Sequence, residues 1–178
     1  MIENNGVRAV GLGLTIFCWG DEQRGSEGFR EECFQELANQ FRAMPEPKLG
    51  LHLGDAWDWL RPAMRARIEG PLAHDQSARH QLDAMVQKAQ DKDLKGMSAF
   101  EGRMIGVHQG HHTWDFLNGS NSDMRLAAAL RAKYLGWIAA TRLSFGPKNG
   151  SGRYVLTMLS THGQGGARSA GSDAKYID

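Results

Sequence analysis

Short apolar segments alternate with amphipathic helical segments along this chain, and that alternation is the strongest restriction on its fold. The predicted strands are residues 7–19, 48–53, 103–108, 137–145 and 153–161. The predicted helices are residues 26–41, 57–69, 73–92 and 123–133. Strands separated by helices pair in parallel, whereas two strands joined by the short turn 146–150 are typical of a hairpin. The sequence therefore predicts an α/β fold, parallel at first and mixed later.

Local signals define two of these helices more closely. Ser26 is a predicted N-cap, because Phe29 and Cys33 follow it at helical spacing, and Pro45 prevents the helix from continuing. The helix at 73–92 is amphipathic, and its apolar face carries Leu82, Met85, Val86 and Ala89.

Length and composition indicate one globular domain. The chain has 178 residues and a formal net charge of +1, so we expect a single domain over residues 1–178 without a strongly basic nucleic-acid surface. No signal peptide is visible, and no apolar run approaches the roughly 20 residues of a membrane span. The two cysteines, Cys18 and Cys33, are predicted to be small buried side chains in a cytoplasmic protein.

Residue types that bind metal ions stand directly after the predicted strands. In chain order they are Asp21 and Gln23, then Asp55, then His111 and His112, and last His162. Loops at the carboxyl ends of strands in an open α/β sheet converge on one crevice, where carboxylates and imidazoles can hold divalent ions. Taken singly, the aspartates also fit helix caps and the histidines fit turns. His108 alternates away from its loop and is predicted to pack inside the sheet.

Four short motifs contain these residues in a fixed order. Residues 21–23 are Asp-Glu-Gln, residues 54–58 are Gly-Asp-Ala-Trp-Asp, residues 110–112 are Gly-His-His and residues 161–163 are Thr-His-Gly. This series resembles the calcineurin-like metallophosphoesterase superfamily, whose motifs run Asp-x-His, Gly-Asp-x-x-Asp, Gly-Asn-His-Asp/Glu, a histidine and Gly-His-x-His. Residues 54–58 match the second of these motifs completely. The resemblance extends from about residue 7 to residue 178.

The resemblance implies a four-layer αββα sandwich with mixed sheets and a site for two divalent ions of Mn, Fe or Zn. The metal ligands that it implies are Asp21, Gln23, Asp55, His111 and His162. The implied activity is hydrolysis of a phosphomonoester or phosphodiester by a metal-activated hydroxide. The implied substrate is a phosphoester, with nucleotides and nucleic acids among the candidates.

The resemblance also implies roles for four residues outside the ligand set. His112 is placed to protonate the leaving alkoxide, and Asp58 is expected to orient a ligand or the loop. Arg24 and Arg168 are expected to contact the substrate phosphate.

Three departures from the family pattern affect these expectations. Gln23 replaces a histidine and is a weaker ligand, while His111 replaces an asparagine and favours Zn, Fe or Mn. The Gly-His-x-His motif is absent, so we interpret the domain as incomplete, with its last strands missing and with weak or absent turnover.

Other functions remain compatible with the same residues. One is a binding or scaffold protein that keeps the fold without the activity. Another is a nuclease subunit that contacts DNA through a partner. A third is a single-metal zinc hydrolase in which His111, His112 and His162 bind the ion.

Overall fold

A computed structural model describes residues 13–59, 67, 75–146 and 153–163. The strands are β1 Thr15–Trp19, β2 Lys48–His52, β3 Met104–His108, β4 Lys133–Gly136, β5 Ile138–Phe145 and β6 Tyr154–Thr161. The helices are α1 Glu31–Ala43, α2 Gln76–Leu94 and α3 Ser122–Ala129, with a 3₁₀ helix at Lys95–Phe100. No helix among the described residues is long and apolar enough to cross a bilayer.

The first four strands form one parallel sheet in the order β1-β2-β3-β4. All five residues of β2 and all five of β3 are buried, as expected for central strands of a parallel sheet covered on both faces. Because the strands are parallel, the loops after β1, β2 and β3 emerge at the same edge. The α/β class and the early parallel sheet predicted from sequence are confirmed.

The last two strands form a separate antiparallel pair, β5 with β6, that runs in register from Ile138 opposite Thr161 to Phe145 opposite Tyr154. This confirms the predicted hairpin. His108 of β3 connects the hairpin to the parallel sheet, since its Nε2 lies 2.8 Å from the Ser160 hydroxyl. His108 is fully buried, so the prediction that it packs inside the sheet is also confirmed.

One predicted helix is shorter in the structure, and another lies almost entirely outside the described residues. The predicted helix 123–133 ends at Ala129, Arg131 has a positive φ of 52°, and β4 begins at Lys133. The left-handed conformation of Arg131 ends the helix and redirects the chain into β4. The helical prediction for residues 130–133 was therefore wrong. The predicted helix 57–69 falls almost entirely outside the described residues, as do residues 7–12 of the predicted first strand.

Helix α1 begins five residues later than the predicted N-cap. Its N-cap is Arg30, which makes no side-chain capping bond, so the N-cap prediction for Ser26 was wrong. Glu31 and Glu32 occupy the first turn, where negative charge interacts favourably with the helix dipole.

The main hydrophobic core lies between the sheet on one side and α1 with the 3₁₀ helix on the other. Trp19 stacks on Phe100 with ring centroids 4.2 Å apart, and Phe41 contacts both rings at 6.5 and 4.9 Å. These rings fix the end of β1, directly before the loop that carries Asp21. Both cysteines are exposed, because Cys18 lies on the edge strand and Cys33 on the outer face of α1. Their predicted burial was wrong.

Candidate metal centre

The loops after β1 and β2 are hydrogen-bonded to each other along their backbones. The Asp21 N–H donates to Gly54 O and the Gln23 N–H to Asp55 O, both at 3.0 Å. Asp21, Gln23 and Asp55 all have positive φ, between 47° and 57°. Such conformations are uncommon outside glycine and persist where surrounding contacts impose them, often at functional sites. The structure therefore brings the first two sequence motifs side by side.

Two glycines allow the loop after β3 to approach the same place. A Cβ at Gly110 would overlap the Asp55 carboxylate and backbone nitrogen. A Cβ at Gly54 would lie 2.7 Å from His162 Nδ1 and 3.0 Å from Gly110 Cα. Gly54 also has a φ of 106°, which a side chain would strain. The site thus depends on close backbone contact that only glycine permits at these two positions.

Three side chains from three loops converge at this point. Asp55, His111 and His162 place one potential ligand atom each within 4.8 Å of the others. His162 Nε2 lies 2.7 Å from His111 Nδ1 and 3.4 Å from Asp55 Oδ2. Asp55 is buried, His162 is partly buried and His111 is exposed. We call these three residues the ligand cluster.

Atoms outside the cluster orient two of its members. His162 Nδ1 lies 2.6 Å from the Leu53 carbonyl oxygen, so Nδ1 carries a proton and Nε2 faces the cluster. Asp55 Oδ1 accepts a 2.9 Å hydrogen bond from the backbone N–H of His112, and its Oδ2 faces His162. A metal-binding histidine typically donates its other N–H to a carbonyl or carboxylate in this way.

Electrostatics couples Asp55 to His162. The hydrogen bond to Asp55 raises the pKa of His162 above 6.5 despite partial burial, and the Leu53 carbonyl and the nearby Asp21 charge add to that effect. Burial opposes ionisation of Asp55, but hydrogen bonds from His162 and the His112 backbone outweigh it and lower the carboxyl pKa below 3.8. The Nε2 proton of His162 must leave before that nitrogen can bind a cation.

His112 and Asp58 form a second, adjoining pair. His112 Nδ1 lies 2.5 Å from Asp58 Oδ1, and His112 is buried while Asp58 is partly exposed. The Asp58 carboxylate therefore fixes the orientation of the imidazole, with Nδ1 toward Asp58 and Nε2 on the opposite side of the ring. This geometry is compatible with the predicted proton-donor role of His112 and the orienting role of Asp58.

A buried carboxylate that the sequence did not suggest holds the loop after β3. Asp123 Oδ2 accepts a 3.0 Å hydrogen bond from the Gly110 N–H and a short one from the Thr113 hydroxyl. Burial raises the pKa of Asp123. The clue was the run Asn121-Ser122-Asp123, in which the first two residues fit a turn and Asp123 fits the start of a helix.

Glu22 and His52 form a buried pair that holds the loop after β2, and the sequence did not suggest this pair either. Glu22 accepts a 2.8 Å hydrogen bond from the Trp19 indole and lies 3.0 Å from His52 Nε2. The Gly54 N–H donates to His52 Nδ1 at 3.1 Å, which places the imidazole proton on Nε2, toward Glu22. The pair thereby fixes the backbone one residue before Asp55.

Asp21 and Gln23 lie beside the ligand cluster without belonging to it. Asp21 is exposed, and among the described residues no group of three acidic, histidine or cysteine ligands includes it. Gln23 is positioned through its backbone bond to Asp55. A second metal site at these two residues stays a prediction.

The two predicted phosphate-binding arginines have different outcomes. Arg24 is only 3% exposed, stacks on the rings of Phe29 and Phe34 at 4.6 and 4.0 Å, and donates to Glu31 at 3.1 Å. Its guanidinium is part of the packing against α1, so the geometry gives no support to a substrate contact. Arg168 lies outside the described residues.

Comparisons with known proteins do not identify a family for this chain. No protein-family model matches it. No curated protein and no solved structure matches it either.

Proposed function

We propose that this protein binds a divalent cation through Asp55, His111 and His162 and hydrolyses a phosphoester there. The observation that carries the proposal is the orientation of the cluster by atoms outside it. Leu53 O turns His162 Nε2 inward, and the His112 N–H turns Asp55 Oδ2 inward. Side chains that merely share a surface do not require two such constraints pointing at one location.

The donor set fits a first-row divalent ion. Two imidazoles and one carboxylate suit Zn, Mn or Fe and leave coordination positions open for water or substrate. Two ring nitrogens bound to one tetrahedral ion are about 3.4 Å apart at usual bond lengths. The two rings are 2.7 Å apart at His162 Nε2 and His111 Nδ1, so a small rotation of the exposed His111 ring accommodates the ion.

Phosphoester hydrolysis is the chemistry that the neighbouring residues favour. A bound divalent ion supplies a hydroxide at neutral pH and polarises the phosphoryl oxygens. His112, whose backbone N–H bonds Asp55 and whose ring bonds Asp58, stands next to the cluster as a proton donor for the leaving oxygen. The match of residues 54–58 to the second phosphoesterase motif agrees with this assignment. We further propose Asp21 and Gln23 as ligands of a weaker second ion.

Metal binding tests the first half of the proposal. Calorimetric titration of the metal-stripped protein with Mn²⁺ and Zn²⁺ should show at least one ion bound per chain. Asp55→Asn and His111→Ala should each weaken binding by about 10- to 100-fold or more. The matched control is His80→Ala, because His80 is an exposed histidine on α2. Equal binding by Asp55→Asn and the unmodified protein would remove the proposal.

Activity tests the second half. With Mn²⁺ present, bis(p-nitrophenyl) phosphate and p-nitrophenyl phosphate should be hydrolysed, and His112→Ala should lower kcat by about 10²- to 10⁴-fold. Metal binding without any hydrolysis would favour the binding or scaffold alternative.

A single-metal hydrolase is a second candidate, favoured by the size of the cluster. The three converging ligands are one carboxylate and two histidines, with Asp55 rather than His112 completing the set. A stoichiometry of one ion per active chain, unchanged in Asp21→Asn, would select it over the two-ion mechanism.

A further inference from the structure

An apolar pocket of 330 Å³ opens beside the His112–Asp58 pair. The described residues that line it include Asp58, Trp59, Trp114, Leu82, Val86 and Ala89. The last three come from the apolar face of α2. Cavities of about 300–1,000 Å³ with apolar walls and few polar groups are typical small-molecule sites, and this one is at the lower end.

The polar groups of the pocket wall are unequally satisfied. The Trp114 indole N–H donates to Asp83 at 2.8 Å. The Trp59 indole N–H is buried and finds no acceptor within the described ranges. An indole N–H buried without an acceptor is costly and is normally paired, so a bound molecule that offers an acceptor would relieve this cost.

The pocket is joined to the ligand cluster through two hydrogen bonds. Asp58, a wall residue, bonds the His112 ring at 2.5 Å, and the His112 N–H bonds Asp55 at 2.9 Å. A phosphoester with its phosphoryl group at the cluster and its leaving oxygen near His112 would therefore direct its organic part toward the pocket. Asp58 is the charged side chain among the described wall residues, and its carboxylate disfavours a second anionic group there.

We propose that this pocket binds an uncharged aromatic group, the organic part of a phosphate monoester hydrolysed at the ligand cluster. The inference rests on the proposed function and specifies its substrate class. A water oxygen bonds to phosphorus and the water releases one proton to solvent. The phosphorus–oxygen bond to the aromatic group breaks, and the leaving oxygen takes a proton from His112, which regains one from solvent. The products are an aromatic alcohol or phenol and inorganic phosphate.

Non-hydrolysable phosphonates test the pocket without requiring turnover. We would titrate the Mn²⁺-loaded protein with methylphosphonate and with 1-naphthylmethylphosphonate. The naphthyl compound should bind at least tenfold more tightly, because its ring system leaves water for apolar walls. Ala89→Leu, which fills the pocket, should abolish that preference. Ala84→Leu is the matched control, since Ala84 is exposed on the same helix and is not a wall residue.

The outcomes separate the two proposals. If both phosphonates bind in a metal-dependent manner with equal affinity, the pocket assignment is wrong and the metal centre stands. The pocket assignment would also be wrong if Ala89→Leu and Ala84→Leu lost the preference for the naphthyl compound to the same extent. If naphthyl binding is tight but unaffected by Asp55→Asn and by metal removal, the link to phosphoester chemistry is wrong. The proposal is supported if the preference for the naphthyl compound is lost in Ala89→Leu and retained in Ala84→Leu.

Discussion

At the residue scale, the position of Asp55 depends most directly on the absence of a side chain at Gly110. Gly110 packs so tightly on Asp55 that any Cβ would overlap the carboxylate and the Asp55 backbone nitrogen. Asp55 and Gly110 cannot easily move apart, because the His112 N–H holds the Asp55 carboxylate and Asp123 holds the Gly110 N–H. Gly110 therefore sets the position of a metal ligand without contacting the metal.

Replacing Gly110 should damage both stability and metal binding. We expect Gly110→Ala to lower the free energy of unfolding by about 2–3 kcal/mol through overpacking and to weaken Mn²⁺ binding more than tenfold. Urea denaturation and calorimetry measure the two effects. Gly28→Ala is the control, since a Cβ there would meet nothing nearer than 4.0 Å. A Gly110→Ala protein as stable as the control would contradict the geometry.

The ion pair between His162 and Asp55 should make stability depend on pH in metal-free protein. The pKa of His162 is raised above 6.5 by Asp55, so the folded protein binds this proton more tightly than the unfolded chain does. The stabilisation is complete below pH 6.5 and is lost as pH rises through the folded pKa.

Comparison with His162→Gln measures this effect. In EDTA, the unmodified protein should exceed His162→Gln in unfolding free energy by more at pH 6 than at pH 9. A difference that grows with pH would show that the pKa of His162 is lowered instead.

At the element scale, the sequence was most informative where strands are buried on both sides. Strands β2 and β3 were predicted to within one residue at each end, because each is a short, mainly apolar run that is soon followed by Gly-Asp or Gly-His. Strand β4 was missed because the predicted helix extended to Lys133, which left only residues 134–136 before the next predicted strand. Only the left-handed residue at Arg131, a tertiary feature, separates them.

The same contrast applies to the site. Asp55, His111 and His162 were found from their positions after strands, and the structure gathers them. Asp123 and the pair Glu22–His52 were not found, because their roles come from hydrogen bonds to backbone groups of other loops. Periodicity and motif spacing do not report such contacts.

The attachment of the hairpin to the sheet gives an element-scale prediction. His108 Nδ1 lies 2.8 Å from Gly136 O and so carries the proton, while Nε2 accepts from Ser160. Ser160→Ala leaves this buried acceptor unpaired and should cost about 1–3 kcal/mol of stability. It should also weaken metal binding, because β6 leads directly to His162.

Thermal or urea unfolding checks this, with Ser144→Ala as the control on the exposed side of β5. The control should change stability by less than about 0.5 kcal/mol. Equal effects of the two substitutions would mean that the His108–Ser160 bond does not fasten the hairpin.

At the scale of the whole molecule, the ligand cluster joins the parallel sheet to the hairpin, so metal binding should stabilise the entire fold. An ion at 100 times its Kd adds about 2.7 kcal/mol, equivalent to a rise in Tm of about 5–11 °C for a chain of this size. Differential scanning calorimetry with and without Mn²⁺ should show this rise, and His111→Ala should lack it. His111 is exposed, so its loss should leave the metal-free Tm nearly unchanged.

The contact between His162 and Leu53 spans 109 positions of the chain. During synthesis, Asp55 and His111 leave the ribosome well before His162. The ligand cluster is therefore incomplete until β6 has emerged and packed against the sheet. Capture of the ion therefore waits until residue 162 has been made, and polypeptides released before that point should not compete for scarce metal.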